Sequence, residues 1–127
     1  MMKNRDFLRI VIDLDGTIFE EKIEQDRAKA VPLTDAVESV NALYDMGHTI
    51  ILYTGRTYRE LEPTLNQLKR YGVKYHHLVM GKPVADIVID DRAIAFSDWP
   101  GVWSNLNKII QHKMNEPIWR KGDTCEK

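Results

Sequence analysis

The sequence predicts an α/β fold built on a three-layer, doubly wound parallel sheet. Short runs of apolar, β-branched residues recur along the 127-residue chain, and such runs are typical of strands covered on both faces of a parallel sheet. Segments with helical spacing of apolar residues separate the runs, which favours strand–helix–strand units with right-handed connections. Two of the runs end abruptly in aspartates, and ligands bind just beyond the carboxyl ends of the strands in such sheets.

The first predicted strand, residues 10–13, runs directly into two carboxylates and a turn. Ile10-Val11-Ile12-Asp13 is followed by Leu14-Asp15-Gly16-Thr17. Asp13 and Asp15 can both reach the crevice beyond the strand once the chain leaves the pleat, and Gly16 supplies the backbone freedom for the turn. The pattern predicts a site for a divalent cation and a phosphate. The alternative is an ordinary strand followed by an ordinary turn.

Residues 18–31 are strongly charged, with too few apolar residues for a core element. They are predicted to form a flap or solvated hairpin beside the site, or simply an exposed connection. A helix is predicted next because its apolar residues follow the spacing of one buried face. Those residues are Ala36, Val37, Val40, Leu43 and Tyr44.

A second strand, residues 49–53, ends in Thr54-Gly55-Arg56. The helix after it is predicted to bury Leu61, Leu65 and Leu68 on one face. Arg56 has two interpretations at this stage. It either contacts the phosphate or a second substrate group, or it is a surface residue that pairs with Glu60.

Three further strands and a last helix complete the predicted domain. The strands are residues 77–80, 85–91 and 93–96, and the helix is marked by Val102, Leu106, Ile109 and Ile110. Asp90 and Asp91 form a second acidic strand end. Residues 1–112 are therefore predicted to be one domain, and residues 113–127 a polar C-terminal tail.

The predicted topology brings these strand ends together. With a strand order of 3-2-1-4-5, the first and fourth strands are neighbours at the switch point of the sheet. Asp13 and Asp15 would then face Asp90 and Asp91, with Thr54 on the adjacent second strand. Four carboxylates in one pocket repel unless a hard cation joins them, which predicts Mg2+ as cofactor. Lys82 can supply the positive charge for a phosphate.

Composition restricts the partners and the compartment. The formal net charge of −1 gives no electrostatic reason to expect a nucleic acid or a membrane surface as partner. Cys125 is the single cysteine, so an intrachain disulfide is impossible and a reducing compartment is expected. The apolar stretch near the N-terminus is too short for a signal peptide or a membrane span. A cytoplasmic protein is predicted.

Four motifs in order resemble those of haloacid dehalogenase (HAD)-superfamily phosphatases over roughly residues 8–96. Asp13-Leu14-Asp15-Gly16-Thr17 is similar to the first motif, and Thr54 after a hydrophobic strand is similar to the second. Lys82 matches the third motif and Asp90-Asp91 the fourth. The chain also looks similar to small capless sugar-phosphate phosphatases and to the phosphatase part of polynucleotide kinase-phosphatases.

This resemblance implies a role for each motif residue. Asp13 would attack phosphorus to form an aspartyl-phosphate, and Asp15 would act as general acid and then general base. The predicted contacts to the phosphorylated substrate come from Gly16, Thr54, Gly55, Arg56 and Lys82. The predicted Mg2+ ligands are Asp13, the backbone carbonyl of Asp15, Asp90 and Asp91.

The resemblance also implies that the protein has no cap domain, because no long insertion follows the first or the second motif. An open site of this kind serves bulky substrates or small ones enclosed by a second subunit, so a homo-oligomer is expected. The leading hypothesis is a phosphatase for a small phosphorylated metabolite such as a sugar phosphate. The alternatives are a polynucleotide or nucleotide phosphatase and a non-catalytic module that binds a phosphorylated ligand.

Overall fold

The computed structural model describes residues 7–114, with side chains through residue 111. Three strands and three α-helices form its regular framework, and two 3-10 helices, Glu24–Lys29 and Tyr58–Glu60, lie between them. In chain order the framework consists of β1 (Arg9–Ile12), α1 (Ala36–Asp45), β2 (Thr49–Tyr53), α2 (Leu61–Arg70), β3 (His77–Val79) and α3 (Trp99–Met114).

The three strands form one parallel sheet with the spatial order β1-β2-β3. Ile12 pairs with Leu52, and Leu52 pairs with Leu78, so the carboxyl ends of all three strands lie at the same edge. The α/β class and the 3-2-1 half of the predicted strand order are confirmed. Between residues 15 and 36, and between residues 54 and 82, the chain forms only short helices, turns and β3, so no cap domain is inserted at either place.

The hydrophobic core lies between the sheet and the flanking helices. Leu14, Ile50 and Leu52 are fully buried from the strand side. The helices contribute Val40 and Leu43 from α1, Leu68 from α2 and Leu106 from α3. None of the helices within residues 7–114 is long and apolar enough to cross a bilayer.

The predicted fourth and fifth strands do not form. Between Val79 and Trp99 the described chain has no strand, and residues 83–93 are all exposed. Only seven residues separate Val79 from Ile87, the first residue of the apolar run 87–89. A crossover to a parallel strand on the far side of β1 needs a dozen or more residues. The sequence-based strand order neglected this limit on chain length.

The segment 18–31 is a hairpin-like loop with an exposed tip, residues 21–25, but its base is buried rather than solvated. At the base, Glu20 N donates to the Val31 carbonyl at 3.0 Å and Leu33 N donates to the Ile18 carbonyl at 2.8 Å. Ile18, Phe19 and Ala30 belong to the core, and Phe19 is fully buried. The 3-10 helix inside the segment packs against α2, where Gln67 Nε2 donates hydrogen bonds to the carbonyls of Arg27, at 2.9 Å, and Ala30, at 3.0 Å. The segment is therefore a fixed wall of the fold.

Helix α2 buries a more polar face than the leucine spacing predicts. Leu68 is fully buried, but Leu65 is 40% exposed, while Thr64 and Gln67 are completely inaccessible. Both of these polar side chains hydrogen-bond to buried groups, which removes the usual cost of burying them.

The predicted tail, residues 113–127, lies outside the described residues, except that α3 continues to Met114.

A buried histidine makes the stability of the fold pH-dependent. His48 Nδ1 accepts a hydrogen bond from the Leu8 backbone N–H at 3.0 Å, while Nε2 is buried without a partner. Burial lowers the pKa of His48 below its usual 6.5. As the pH falls below 6.5, the unfolded chain binds a proton that the folded chain rejects, so stability is lost until the pH reaches the lowered folded-state pKa.

We expect the free energy of unfolding to decrease between pH 7.5 and pH 5.5, and His48→Asn to reduce that slope. An asparagine side-chain oxygen can still accept the bond from Leu8 but cannot be protonated in this range. Urea unfolding at the two pH values measures the effect, with His77→Asn at an exposed position as control. An unchanged slope in His48→Asn would show that this residue is not the source.

Candidate active site

The candidate site lies at the carboxyl edge of the sheet, where three loops meet. Asp13 follows β1, Thr54 follows β2, and Lys82 follows shortly after β3. Because the strands are parallel and in register, their following residues converge at one edge. Three of the four motifs found in the sequence therefore belong to neighbouring strand ends.

A tight turn after β1 exposes the first aspartate. The carbonyl of Leu14 accepts backbone N–H groups from Thr17, Ile18 and Phe19 at 2.8–3.1 Å. Gly16 has a φ of +83°, and its N–H donates to the Phe19 carbonyl at 2.7 Å. A side chain at this position would be strained, so the turn depends on glycine.

Asp13 and Lys82 form the charged centre of the site. Lys82 Nζ lies 3.7 Å from Asp13 Oδ2, and the two side chains are 31% and 35% exposed. Asp13 Oδ1 accepts a hydrogen bond from the Leu14 N–H at 2.8 Å. Burial raises the pKa of Asp13, while the Leu14 N–H and the Lys82 charge act in the opposite direction. One carboxylate oxygen is thus anchored, and the other lies at the solvent side beside a cation.

Backbone hydrogen bonds fix the position of the lysine loop. Lys82 N donates to the Thr54 carbonyl at 2.8 Å, and Gly81 N donates to the Arg56 carbonyl at 3.0 Å. Gly55 lies directly beside this loop, since an added Cβ would be in van der Waals contact with the Lys82 carbonyl oxygen, at 3.4 Å. The Thr54 side chain is fully buried, and its Oγ1 accepts the Arg56 N–H at 3.1 Å, which leaves its own O–H free to donate.

Asp15 is held by a buried guanidinium. Arg56 Nη2 and Nε donate to the two carboxylate oxygens of Asp15 at 2.8 Å and 3.1 Å. Arg56 is 1% exposed, and its Nη1 donates to Thr64 Oγ1 and Gln67 Oε1 at 3.0 Å and 2.8 Å. This bidentate geometry is the strongest that arginine and carboxylate adopt. Asp15 is therefore held in a hydrogen-bonded cluster around Arg56.

The family of the chain follows from its sequence match. The profile of the haloacid dehalogenase-like hydrolases matches residues 10–92, which include all four motifs. The chain belongs to this family of hydrolases. No curated protein matches the hydrolase at a significant level of sequence similarity.

Two solved structures share the fold of this hydrolase. A protein from Vibrio cholerae is 24% identical, with a TM-score of 0.64, and the alignment covers 84% of this chain and 95% of that one. A chain in the Pnkp1/Rnl/Hen1 complex is 22% identical, with a TM-score of 0.55, over 72% of this chain and 33% of that one. At these identities the two comparisons establish the fold alone.

Arg56 of the hydrolase is not the surface residue paired with Glu60 that one interpretation of the sequence predicted. It is buried among Asp15, Thr64 and Gln67, and its contact with a phosphate or a second substrate group stays a prediction. Glu60 pairs with Arg27 instead, at 3.2 Å. Neither partner of Arg56 on α2 could be foreseen, since Thr64 and Gln67 have the sequence appearance of surface residues.

Asp90 and Asp91 are not brought to Asp13 within one copy of the hydrolase. Both are exposed, and their contacts are to Arg92: the Arg92 N–H donates to Asp90 Oδ1 at 2.9 Å, and Arg92 Nε lies 3.5 Å from Asp91 Oδ1. The backbone hydrogen bond from Arg92 lowers the pKa of Asp90. The predicted meeting of these carboxylates with Asp13 fails because the segment that carries them does not pair with β1.

The predicted Mg2+ site is therefore incomplete in a single copy. Within residues 7–111, no three acidic, histidine or cysteine side chains lie close enough to share a metal ion. The carboxylate of Asp15 is occupied by Arg56, so among the described residues that follow the three strands it is Asp13, beside Lys82, that offers a carboxylate to a metal ion. This donor set does not fit a divalent cation, which prefers several oxygen ligands in a defined geometry.

Two other groups that could suggest ligand binding have structural roles instead. The indole N–H groups of Trp99 and Trp103 donate to the Thr17 carbonyl, at 2.9 Å, and to Ser39 Oγ, at 2.8 Å. His76 stacks on Tyr44 and accepts the Ile50 N–H at 3.0 Å. These contacts hold α3 and β3 against the core.

Proposed function

We propose that this hydrolase is a phosphatase that cleaves a phosphate monoester of a small metabolite, such as a sugar phosphate, with Asp13 as the nucleophile. The proposal depends above all on the Asp13–Lys82 pair, 3.7 Å apart at the open carboxyl edge of the sheet. A carboxylate beside a fixed cation can attack a phosphoryl group that the same cation holds.

The proposed reaction has two displacements. Asp13 Oδ2 attacks phosphorus, the bond from phosphorus to the leaving oxygen breaks, and an aspartyl-phosphate forms. Water then attacks the phosphorus of this intermediate, which releases inorganic phosphate and restores the Asp13 carboxylate. The bond from Leu14 N–H to Asp13 Oδ1 favours attack by Oδ2, because Oδ1 is already engaged.

Lys82 and Thr54 are proposed to bind the phosphoryl oxygens. Negative charge spreads over these oxygens in the transition state, and a charged or hydroxyl donor that contacts them stabilises it. The backbone bond from Lys82 N to the Thr54 carbonyl holds the two residues next to each other. Gly16 and Gly55 are proposed to leave room for the phosphate to approach the backbone.

Asp15 is proposed to protonate the leaving oxygen and later to deprotonate the attacking water. Both of its carboxylate oxygens are engaged by Arg56 in this structure. The acid role therefore requires that one oxygen leaves Arg56, takes up a proton from solvent water and turns toward the bond that is broken; the carboxylate left after this proton is donated can then accept one from the attacking water. Arg56 would remain in position, because Thr64 and Gln67 still hold its other end.

Mg2+ is proposed as the cofactor of the assembled protein, in keeping with the carboxylate oxygens that the motifs provide. Since one copy does not provide the ligand set, none of the steps above is assigned to the metal.

The proposal is tested by measuring phosphate release with Mg2+ or with EDTA. The panel contains sugar phosphates, nucleotides, phosphorylated oligonucleotides and an aryl phosphate. Release from an oligonucleotide alone would favour a polynucleotide phosphatase. Binding of the esters without turnover would favour a binding module.

Lys82→Met is expected to lower kcat/KM for the best ester in this panel by about 100-fold, because it removes one charged donor to the transition state. The methionine retains the length and the apolar part of the side chain. Lys74→Met is the matched control, since Lys74 pairs with Asp45 on the exposed surface. Equal activity of the two variants would exclude Lys82 from the reaction.

A further inference from the structure

A continuous stretch of the chain has no regular secondary structure and is exposed, although its sequence pattern is that of a buried strand. We call residues 83–93 the arm, because all of them are exposed while the chain is fixed at both ends. At one end, the backbone N–H of Lys82 donates a hydrogen bond to the Thr54 carbonyl. At the other end, Ile94 and Phe96 pack against the core. Within the arm, Val84 and Ile89 are both 95% exposed and Ile87 is 77% exposed. An apolar run exposed in this way is a signature of an interaction surface.

The sheet has a matching open edge. β1 pairs with β2 on one side, and no described strand pairs with it on the other. Val11, in the middle of β1, is 58% exposed. An unpaired edge with apolar side chains offers a row of free N–H and C=O groups to another strand.

The arm cannot reach this edge of its own sheet in the parallel direction. Five Cα-to-Cα steps lead from Lys82 to Ile87, and their extended reach is at most roughly 18 Å. If Ile87 lay beside Ile10, it would be about 13 Å from Lys82 along the strand axis and at least two strand spacings, about 10 Å, from Lys82 across the sheet. The straight line between these two positions, about 16 Å long, passes through β1 itself. A path over a face of the sheet, with the reversal at its end, is longer than the available chain.

The sequences of the arm and of β1 fit each other in one register. Ile87-Val88-Ile89-Asp90 repeats the residues of Ile10-Val11-Ile12-Asp13 without a change. A parallel pairing of Val88 with Val11 places like side chains next to one another on both faces. The same register places Asp90 beside Asp13.

We propose that the arm of each copy pairs in parallel with the open β1 edge of a second copy, in a reciprocal, strand-exchanged homodimer. In a reciprocal exchange, each arm pairs with the β1 edge of the other copy, so neither arm and neither edge is left unpaired in the closed dimer. A β-strand added to an open edge gains main-chain hydrogen bonds and buries its alternate side chains. A second copy is the partner that fits, since the chain itself provides both the strand and its complement.

The exchange also completes the candidate site. Asp13 of one copy lies beside Asp90 of the partner subunit, and Asp91 of the partner subunit follows it. Two or three carboxylates then face the same pocket, which supplies the oxygen ligands that a single copy lacks. This consequence rests on the proposed phosphatase function, whereas the exchange itself rests on chain length, exposure and register.

The oligomeric state provides the first test. Light scattering coupled to size-exclusion chromatography is expected to show a dimer for the native chain. Ile89→Asp is expected to give a monomer with unchanged circular dichroism, because Ile89 makes no core contact within one copy. Ile23→Asp, the same change at a residue that is 61% exposed outside the arm, is expected to stay dimeric. A native chain that is monomeric at all concentrations would overturn the proposal.

A disulfide distinguishes exchange from folding back. In a Cys125→Ser background, Val11→Cys and Val88→Cys together are expected to form a covalent dimer under mild oxidation, because paired strands hold these Cα atoms within disulfide range. Either substitution alone is the control. A disulfide within one chain, seen as an oxidised monomer, would show that the arm pairs with its own β1 and would contradict the exchange.

Mixed dimers connect the exchange to the reaction. Asp13→Asn and Asp90→Asn, each inactive alone, are co-expressed with different affinity tags, and the heterodimer is isolated through both tags. With exchanged arms, one site of each heterodimer carries both mutations and the other carries neither, so about half of the native activity returns. If each site lies within one chain, no activity returns. A crosslinked dimer without hydrolysis by any form would reject the phosphatase and retain the exchange.

Discussion

Asp13→Asn is expected to lower phosphate release from the best substrate by at least about 1,000-fold, since the reaction loses the nucleophile itself. Asparagine keeps the size of the side chain, and its Oδ1 can still accept the Leu14 N–H. The first displacement stops because an amide does not attack phosphorus. Phosphate release under saturating substrate measures the effect. The matched control is Asp45→Asn, on the exposed end of α1.

The same substitution should not weaken the fold at neutral pH. Burial raises the pKa of Asp13, so the folded state disfavours the charge that this residue carries at pH 7. The stabilisation that protonated Asp13 gives the folded state is fully present below the unfolded-state pKa of 3.8. It is lost as the pH rises through the raised folded-state pKa. Thermal unfolding in EDTA at pH 7 should therefore give a Tm for Asp13→Asn equal to or above that of the native chain. A large decrease in Tm would mean that lost activity reflects unfolding.

Arg56→Ala is expected to lower the free energy of unfolding by about 3–5 kcal/mol. The reason is that removal of the guanidinium leaves the mostly buried Asp15 carboxylate without a compensating charge. The change also removes the donors to Thr64 and Gln67, both fully buried. Few single substitutions have effects of this size. Urea-induced unfolding measures the difference.

Two further variants separate the causes of that loss. Arg59→Ala, at an exposed position in the neighbouring 3-10 helix, should change stability by no more than about 0.5 kcal/mol. Arg56→Lys keeps the charge but cannot bind two carboxylate oxygens and two side chains of α2 at once, so its stability should lie between those of the native chain and Arg56→Ala. If Arg56→Ala is as stable as the native chain, the cluster around Asp15 does not stabilise the fold.

The sequence was sufficient for the half of the site that local patterns determine. The apolar run before Asp13 and the run before Thr54 each predict a buried strand, and parallel strands place both ends at one edge. Lys82 was assigned to the same edge by its motif, and the structure has it 3.7 Å from Asp13. These predictions depend on periodicity and order, which single sequences carry well.

The parts that were not foreseen depend on which residues meet in space. Thr64 and Gln67 look like solvent-facing helix residues, and only the position of Arg56 explains their burial. The run Ile87–Ile89 looks like a buried strand, and its pattern is the same whether it pairs within one chain or with another copy. Chain length between Val79 and Ile87 was the available signal, and it argues against pairing within one chain.

The buried cluster around Arg56 limits how the specificity of this enzyme can change over evolution. Asp15, Arg56, Thr64 and Gln67 share hydrogen bonds through their side chains, so an altered residue at any of these four positions disturbs the framework that holds Asp15. New substrate preferences are more accessible to mutation at exposed positions outside this cluster, for example at Tyr58, which is 73% exposed and comes five residues after the end of β2. Directed evolution of this chain should accumulate its tolerated changes at such exposed positions and leave the arginine cluster unaltered.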